Sequence, residues 1–224
     1  MIGSVIGSSS MLQIQLEAFE VVLLPQKAAY VAQYGLLLVS DIHLGKSETF
    51  QARGIPIANR VNQVNIERLQ SLCDRWQPKQ LIILGDLFHS SFAWVPEVLE
   101  AWLAFLHQSN VSVRLLLGNH DRALLTRLQT LPMECLTTAI EQDKLVLSHE
   151  PVAIPGCFNI CGHIHPCLRL KTRLDSLRLP CFHYEPEQLT LPSFGEFTGG
   201  YEITLKPGAI AYVIADNAVI PFEG

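Results

Sequence analysis

A mixed α/β fold, two sheets packed face to face with helices outside, is what this sequence predicts, and three observations predict it. Up to about residue 131 the chain alternates strand-like apolar runs with helical stripes, the order of a parallel sheet with crossover helices. Beyond Leu131 it breaks into short strand candidates between turns, the texture of a β-rich, partly antiparallel sheet. The chain has 224 residues, 49% of them apolar, enough to bury a core of that extent. It reads as a single domain over residues 12–224 behind a loose, flexible Gly/Ser-rich tail at 1–11.

In order, residues 12–24 and 28–32 read as strands meeting around Pro25-Gln26. The continuous apolar run at 36–40 suits a strand buried on both faces. Val61, Val64, Leu69, Leu72 and Trp76 recur at helical spacing until Pro78 stops the helix. A second buried strand follows at 81–84, then the stripe Leu99, Trp102, Leu103 and Leu106 of a helix begun near Pro96. A third buried strand at 113–117 leads into a short helix at 123–128. The later strand candidates are 145–147, 158–161, 167–171, 177–184, 189–191 and 211–215.

Composition excludes several classes. Lys plus Arg number 16 against 21 Asp plus Glu, net −5, so the whole surface attracts neither nucleic acid nor anionic lipid. A phosphate-bearing partner must be drawn by a local basic patch or by bound metal. Six Cys, none in a C-x-x-C pair, do not make a disulfide framework. No apolar run approaches the ~20 residues of a membrane span, and no basic segment precedes an apolar one at the start. The expected location is the cytoplasm.

The chemistry sits where the buried strands end. After 36–40 comes Asp41-Ile42-His43-Leu44-Gly45-Lys46; after 81–84, Gly85-Asp86-Leu87-Phe88-His89; after 113–117, Gly118-Asn119-His120-Asp121. Ser148-His149 follows 145–147, and Gly162-His163-Ile164-His165 follows 158–161. In open α/β sheets the carboxyl ends of strands line the ligand crevice, so these segments are expected to converge. Asp41 and Asp86 offer anionic oxygen, Asn119 a neutral oxygen, and His43, His149, His163 and His165 imidazole nitrogen. This mixed N/O set without thiolate suits Mn²⁺, Fe²⁺ or Zn²⁺. It exceeds the need of one ion and suffices for two if a carboxylate bridges, Asp86 being central. Six of the eight His fall directly after strand candidates, which turn chemistry alone does not explain; His107 and His183 stand apart, at a helix end and on a strand surface.

In this order the motifs D-x-H, G-D-x-x-H, G-N-H-D, a separate His and G-H-x-H resemble the calcineurin-like metallophosphoesterase superfamily. The Gly85–His89 variant is similar to that of double-strand-break repair nucleases of the SbcD type. The segments Leu24-Pro25, Ser148-His149-Glu150-Pro151 and Phe194-Gly195-Glu196-Phe197-Thr198-Gly199-Gly200 extend the likeness to the PdeM-like, ligase-associated DNA-damage-response endonucleases. The resemblance implies a four-layer αββα sandwich. It implies one metal on Asp41, His43, Asp86 and His165, the other on Asp86, Asn119, His149 and His163, most often manganese. It further implies His120 as catalytic histidine, its ring oriented by Asp121, and in-line attack on phosphorus by a hydroxide shared between the ions. Many members carry Asp where His89 stands, which leaves His89 either supporting the ligands or simply packing.

The residues define a reaction class more closely than a substrate. The short interval between His149 and His163 leaves no room for a capping domain, so an open cleft is expected. Arg169, Lys171, Arg173 and Arg178 cluster just after the last motif. They read equally as phosphate contacts or as solvated charges on an edge strand. Lys46, Arg53 and Arg122 border the motifs and are further candidates. Family likeness points to DNA as substrate and to action alongside an ATP-dependent DNA ligase and a helicase. A small-molecule phosphohydrolase, or a non-catalytic scaffold of the same fold, are the alternatives.

Overall fold

The computed structural model describes residues 10–16, 19–55, 57, 60–171 and 175–224. Residues 1–9 of the tail expected at 1–11, and Arg173, lie outside the described residues, while Ser10 forms a β-bridge with Ala218. Strands β1 (Leu12–Leu16), β2 (Phe19–Leu24), β3 (Ala28–Val31), β4 (Leu36–Val39), β5 (Gln80–Leu84), β6 (Ser112–Leu116) and β7 (Glu134–Leu136) form the first sheet in sequence order. The pairs β1–β2, β2–β3 and β3–β4 are antiparallel, and β4 to β7 run parallel. The helices are α1 (Lys46–Gln51), α2 (Arg60–Trp76), α3 (Pro96–Gln108) and α4 (Leu125–Leu128). Within residues 12–24, expected as one strand, 12–16 and 19–24 are two antiparallel strands with Leu12 opposite Leu23 and Leu16 opposite Phe19.

The second sheet contains β8 (Ile140–Gln142), β9 (Leu145–Leu147), β10 (Phe158–Cys161), β11 (Pro166–Lys171), β12 (Ser176–Glu185), β13 (Gln188–Thr190), β14 (Tyr201–Glu202), β15 (Ile210–Ala215) and β16 (Ala218–Glu223). Parallel pairing of β10 with both β9 and β13 places the end of β10 beside that of β9. Antiparallel pairs, β11–β12, β12–β15 and β15–β16 among them, build most of the rest, and β14 joins β11 in parallel.

Strand alternation divides the core. Leu37, Val39, Leu81, Ile83, Val113 and Leu115 face α2 and α3, meeting Leu69, Leu72, Trp102 and Phe105. Their neighbours Leu36, Leu38, Ile82, Leu84 and Leu116 face the second sheet, meeting Leu145, Leu147, Ile160, Phe182 and Leu189. Every β4 residue is therefore buried, which is why its sequence is a continuous apolar run. This is the expected mixed α/β sandwich. The far face of the second sheet carries Cys181, Ala211 and Val213, covered by Ile203, Leu205 and Phe222.

Within α2, Val64 is exposed while Asn62 and Asn65 are buried, against the apolar stripe read from sequence. Asn62 accepts from the Gly45 amide (2.9 Å) and donates to Glu48 (2.9 Å), so α2 fixes the start of α1. Helix α1 shows no apolar stripe, so its sequence gave no helical period; Thr49 donating to the Gly45 carbonyl (2.9 Å) helps close its first turn.

Candidate metal centre

Asp41, Asp86, His120, His149, His163 and His165 come together at the carboxyl ends of β4, β5, β6, β9 and β10. Backbone bonds bind the first two loops: Asp41 N–H to the Gly85 carbonyl (3.1 Å), His43 N–H to Asp86 (3.0 Å), Leu44 N–H to Leu87 (2.8 Å). Asp41, His43, Asp86, His163 and His165 all adopt left-handed backbone angles, φ between 51° and 66°. Asp and His tolerate this region better than most side chains, yet such angles cost about 1–3 kcal/mol each. A run of them in one site shows backbone shaped to aim side chains. Gly85, φ 83°, approaches the His149 ring so closely that a Cβ would overlap it, and a Cβ on Gly118 would overlap the Asp86 carboxylate.

The donor atoms gather in linked groups. One atom each of Asp41, His43 and His165 lies within 4.8 Å of the others, and so does one each of Asp41, Asp86 and His149. His149 Nε2 stands 3.1 Å from Asn119 Oδ1, 3.1 Å from His163 Nδ1 and 3.8 Å from Asp86 Oδ2. All the expected donors are thus brought to one floor, with Asp41 common to both groups and Asp86 beside it.

Chemistry decides what these contacts are. His149 Nδ1 lies 2.9 Å from the Leu84 carbonyl, which can only accept, so the ring proton sits on Nδ1 and a lone pair on Nε2. That lone pair points to where Asn119 Oδ1, Asp86 Oδ2 and His163 Nδ1 also converge, a gathering of nitrogen and oxygen donors that a cation satisfies. Asp41 Oδ1 and His165 Nε2, 3.0 Å apart, make no hydrogen bond, and His43 Nδ1 is likewise buried without a partner. Buried orphaned acceptors are costly in the absence of a ligand. The residues present therefore fit divalent metal, and mixed N/O donors without thiolate fit ions such as Mn²⁺.

Electrostatics agree. Burial pushes the Asp41 carboxyl up, but the adjacent His165 and a hydrogen bond from Ser40 outweigh it and hold the group below its ordinary range. Burial, with the nearby Asp41 charge, raises Asp86. Burial presses His43 down to about 2, so it stands neutral, as a ligand must.

The expected contact of Asp121 with the His120 ring is not made. His120 Nδ1 lies 2.5 Å from the His89 carbonyl, while Asp121 accepts backbone N–H groups from Gly118 (3.1 Å), Phe88 (3.2 Å) and Leu87 (3.3 Å). Asp121 is a buried staple between two loops, and burial with the Asp86 charge pushes its carboxyl up to about 6. The His89 ring stacks on His120 (centroids 5.0 Å) and meets His43 edge-on (5.2 Å). Burial, with Lys46, His120 and Arg53 nearby, lowers it to about 4.

Among the expected phosphate contacts, Lys46 lies close enough to His43 and His89 to lower both, and Arg122 lines a cleft with His149. Arg169 is held by Glu202 (2.8 Å), and Lys171 ends β11, exposed. Sequence reasoning missed Ser40, whose hydroxyl bonds Asp41, and Ser193, which donates to the Asp41 carbonyl (2.8 Å). A Ser closing an apolar run just before Asp41 was the available signal for the first; for Ser193 there was none.

A model of the calcineurin-like phosphoesterase family matches residues 35–193. The chain belongs to the calcineurin-like phosphoesterase family. As such it is a metal-dependent phosphoesterase. No curated protein matches it. Among solved structures, this phosphoesterase is similar to the nuclease MPE of Pseudomonas putida, with 32% identity, 95% of this chain and 100% of that chain covered, and a TM-score of 0.82. A protein of unknown function from Aquifex aeolicus, AQ665, matches at 20% identity over 58% of this chain and 78% of that chain, with a TM-score of 0.41.

Proposed function

We propose that this phosphoesterase is a phosphodiesterase that cleaves DNA with a pair of divalent cations, manganese foremost, in the response to DNA damage. The observation that carries it is the floor of lone-pair donors around Asp41, Asp86 and His149, in a chain similar over 95% of its length to a nuclease. In this reading the single domain 12–224 acts in the cytoplasm, alongside an ATP-dependent DNA ligase and a helicase.

Asp41, His43, Asp86 and His165 would hold one ion; Asp86, Asn119, His149 and His163 would hold the other. When bound, such a pair lowers the pKa of water and neutralises charge on the phosphoryl oxygens. His120 is the catalytic histidine: with Nδ1 donating to the His89 carbonyl, its Nε2, 3.9 Å from Asp86 Oδ2, is the atom free to carry a proton to the leaving oxygen. His89 positions it, by that carbonyl and by stacking. Asp121 keeps the Gly118 and Leu87 loops at their spacing.

The test is a panel with Mn²⁺: a bis-aryl phosphodiester, single-stranded DNA, duplex DNA and nucleotides. Cleavage of the diester and of DNA, lost on chelation, is expected. DNA left intact while one nucleotide turns over briskly would replace the assignment by a small-molecule phosphohydrolase.

A further inference from the structure

Beside the metal centre lies a cavity of about 240 Å³. Two of its walls belong to the site: His165, whose Nε2 faces Asp41, and Ser193, whose hydroxyl bonds the Asp41 carbonyl. The other walls include Lys27, Arg178, Glu196, Thr198 and Gly200. The cavity is smaller than the roughly 300–1,000 Å³ that drug-sized organic ligands occupy, and no Phe, Tyr or Trp lines it to stack a base. It suits a compact anion.

The polar groups around it point the same way. The Lys27 side chain is only 16% exposed, an ammonium held in the wall by the β2–β3 turn. Its partner there is Glu196 at 3.5 Å, a carboxylate already bonded by Arg68, which also bonds the Phe194 carbonyl and lies over the Phe194 ring. Glu196 is thus shared between two cations, leaving surplus positive charge. Burial, helped by the neighbouring Arg68 charge, lowers the Lys27 pKa, and Glu196 offsets this only in part. Arg178 donates to the Gly200 carbonyl (2.6 Å), a neutral acceptor, and the Thr198 hydroxyl is buried without a partner.

We propose that this cavity holds the phosphate next to the scissile one on a nucleic-acid strand, gripped by Lys27 and Arg178 with the Thr198 hydroxyl as a further donor. The inference rests on the phosphodiesterase reading above and deepens it: the substrate is a strand with successive phosphates, engaged at two of them. Arg178 belongs to the basic cluster that follows the last motif, whereas Lys27 borders none of the metal-ligand motifs in sequence. Lys27 reaches the site because it pairs with Glu196, and the segment before Glu196 is bonded to the Asp41 loop, Phe194 N–H to the Ser40 carbonyl (2.7 Å) and Gly195 N–H to the Asp41 carbonyl (3.1 Å).

The experiment is a methylphosphonate scan of a single-stranded oligonucleotide, one neutral linkage at a time on either side of the cut, with wild type and Lys27→Gln. In wild type, neutralising one flanking position should raise KM about tenfold, the loss of one charge-assisted contact. In Lys27→Gln the same linkage should change KM less than about twofold, because the contact is already gone, and the salt dependence of oligonucleotide binding should weaken by about one phosphate contact. Arg178→Gln, on the exposed rim, repeats the measurement should circular dichroism show Lys27→Gln misfolded. An equal penalty in wild type and variants, or no sensitive flanking linkage, overturns the subsite while leaving the nuclease reading intact. An uncut oligonucleotide beside a turned-over nucleotide overturns both.

Discussion

The first sheet delivers Asp41, Asp86 and Asn119 from the ends of separate parallel strands, each followed by a helix or turn that returns the chain to the sheet. The second delivers His149, His163 and His165 within one short stretch, from the ends of β9 and β10 lying side by side. Asp86 is held within its own half, by the His120 amide (2.9 Å), whereas Asp41 is held from both, by Ser40 of the first and the His163 amide of the second (3.0 Å). His149 in turn depends on the first half for its orientation, since the carbonyl fixing its tautomer belongs to Leu84 of β5. Parallel strands with crossovers make a rigid oxygen floor, and the second sheet closes nitrogen donors onto it.

Asp86 is where the halves meet, so its loss should cost most. Asp86→Asn keeps the oxygen that accepts from His120 but removes the charge. Metal content by elemental analysis should fall, and turnover of a bis-aryl phosphodiester should drop by more than about 100-fold, beyond the 10–100-fold typical of groups that only support a ligand. Without metal the variant should melt no lower than wild type, because two buried carboxylates no longer face each other. A variant that keeps full metal and activity would break the comparison.

Asp121→Ala tests the staple within the first half. Three backbone N–H groups lose their acceptor, so thermal melting should report about 1–3 kcal/mol of destabilisation. Activity should fall about 10–100-fold through the displaced Asn119–His120 loop.

The smallest effect concerns the tether between halves. Arg68 and Lys27, outweighing burial, hold the Glu196 carboxyl below its ordinary value. A depressed acid stabilises the fold above its ordinary pKa, about 4.3, and the contribution fades as pH falls through the lower folded value. Glu196→Gln should therefore lower Tm modestly at neutral pH, with the gap to wild type closing in acid. A gap that persists there would assign Glu196 to packing.

Legibility followed burial. The runs at 36–40 and 81–84 declared β4 and β5 because both faces of each are buried, and the donors followed at once. Strands β7, β8 and β14 are too short to carry a period, and β16 was also missed. Asn62 and Asn65 look like surface residues until their partners Gly45, Glu48 and Glu196 come into view.

By itself the sequence determined the chemical inventory: which strands are buried, and that Asp, Asn and His stand where they end, because apolar runs and ligand types are local properties. Only the tertiary structure decided which lone pairs confront each other, that Asp121 serves the backbone instead of the His120 ring, and that Lys27 lines a cavity beside His165. Those depend on contacts between segments far apart in the chain, and no local pattern encodes the direction in which a side chain is made to point.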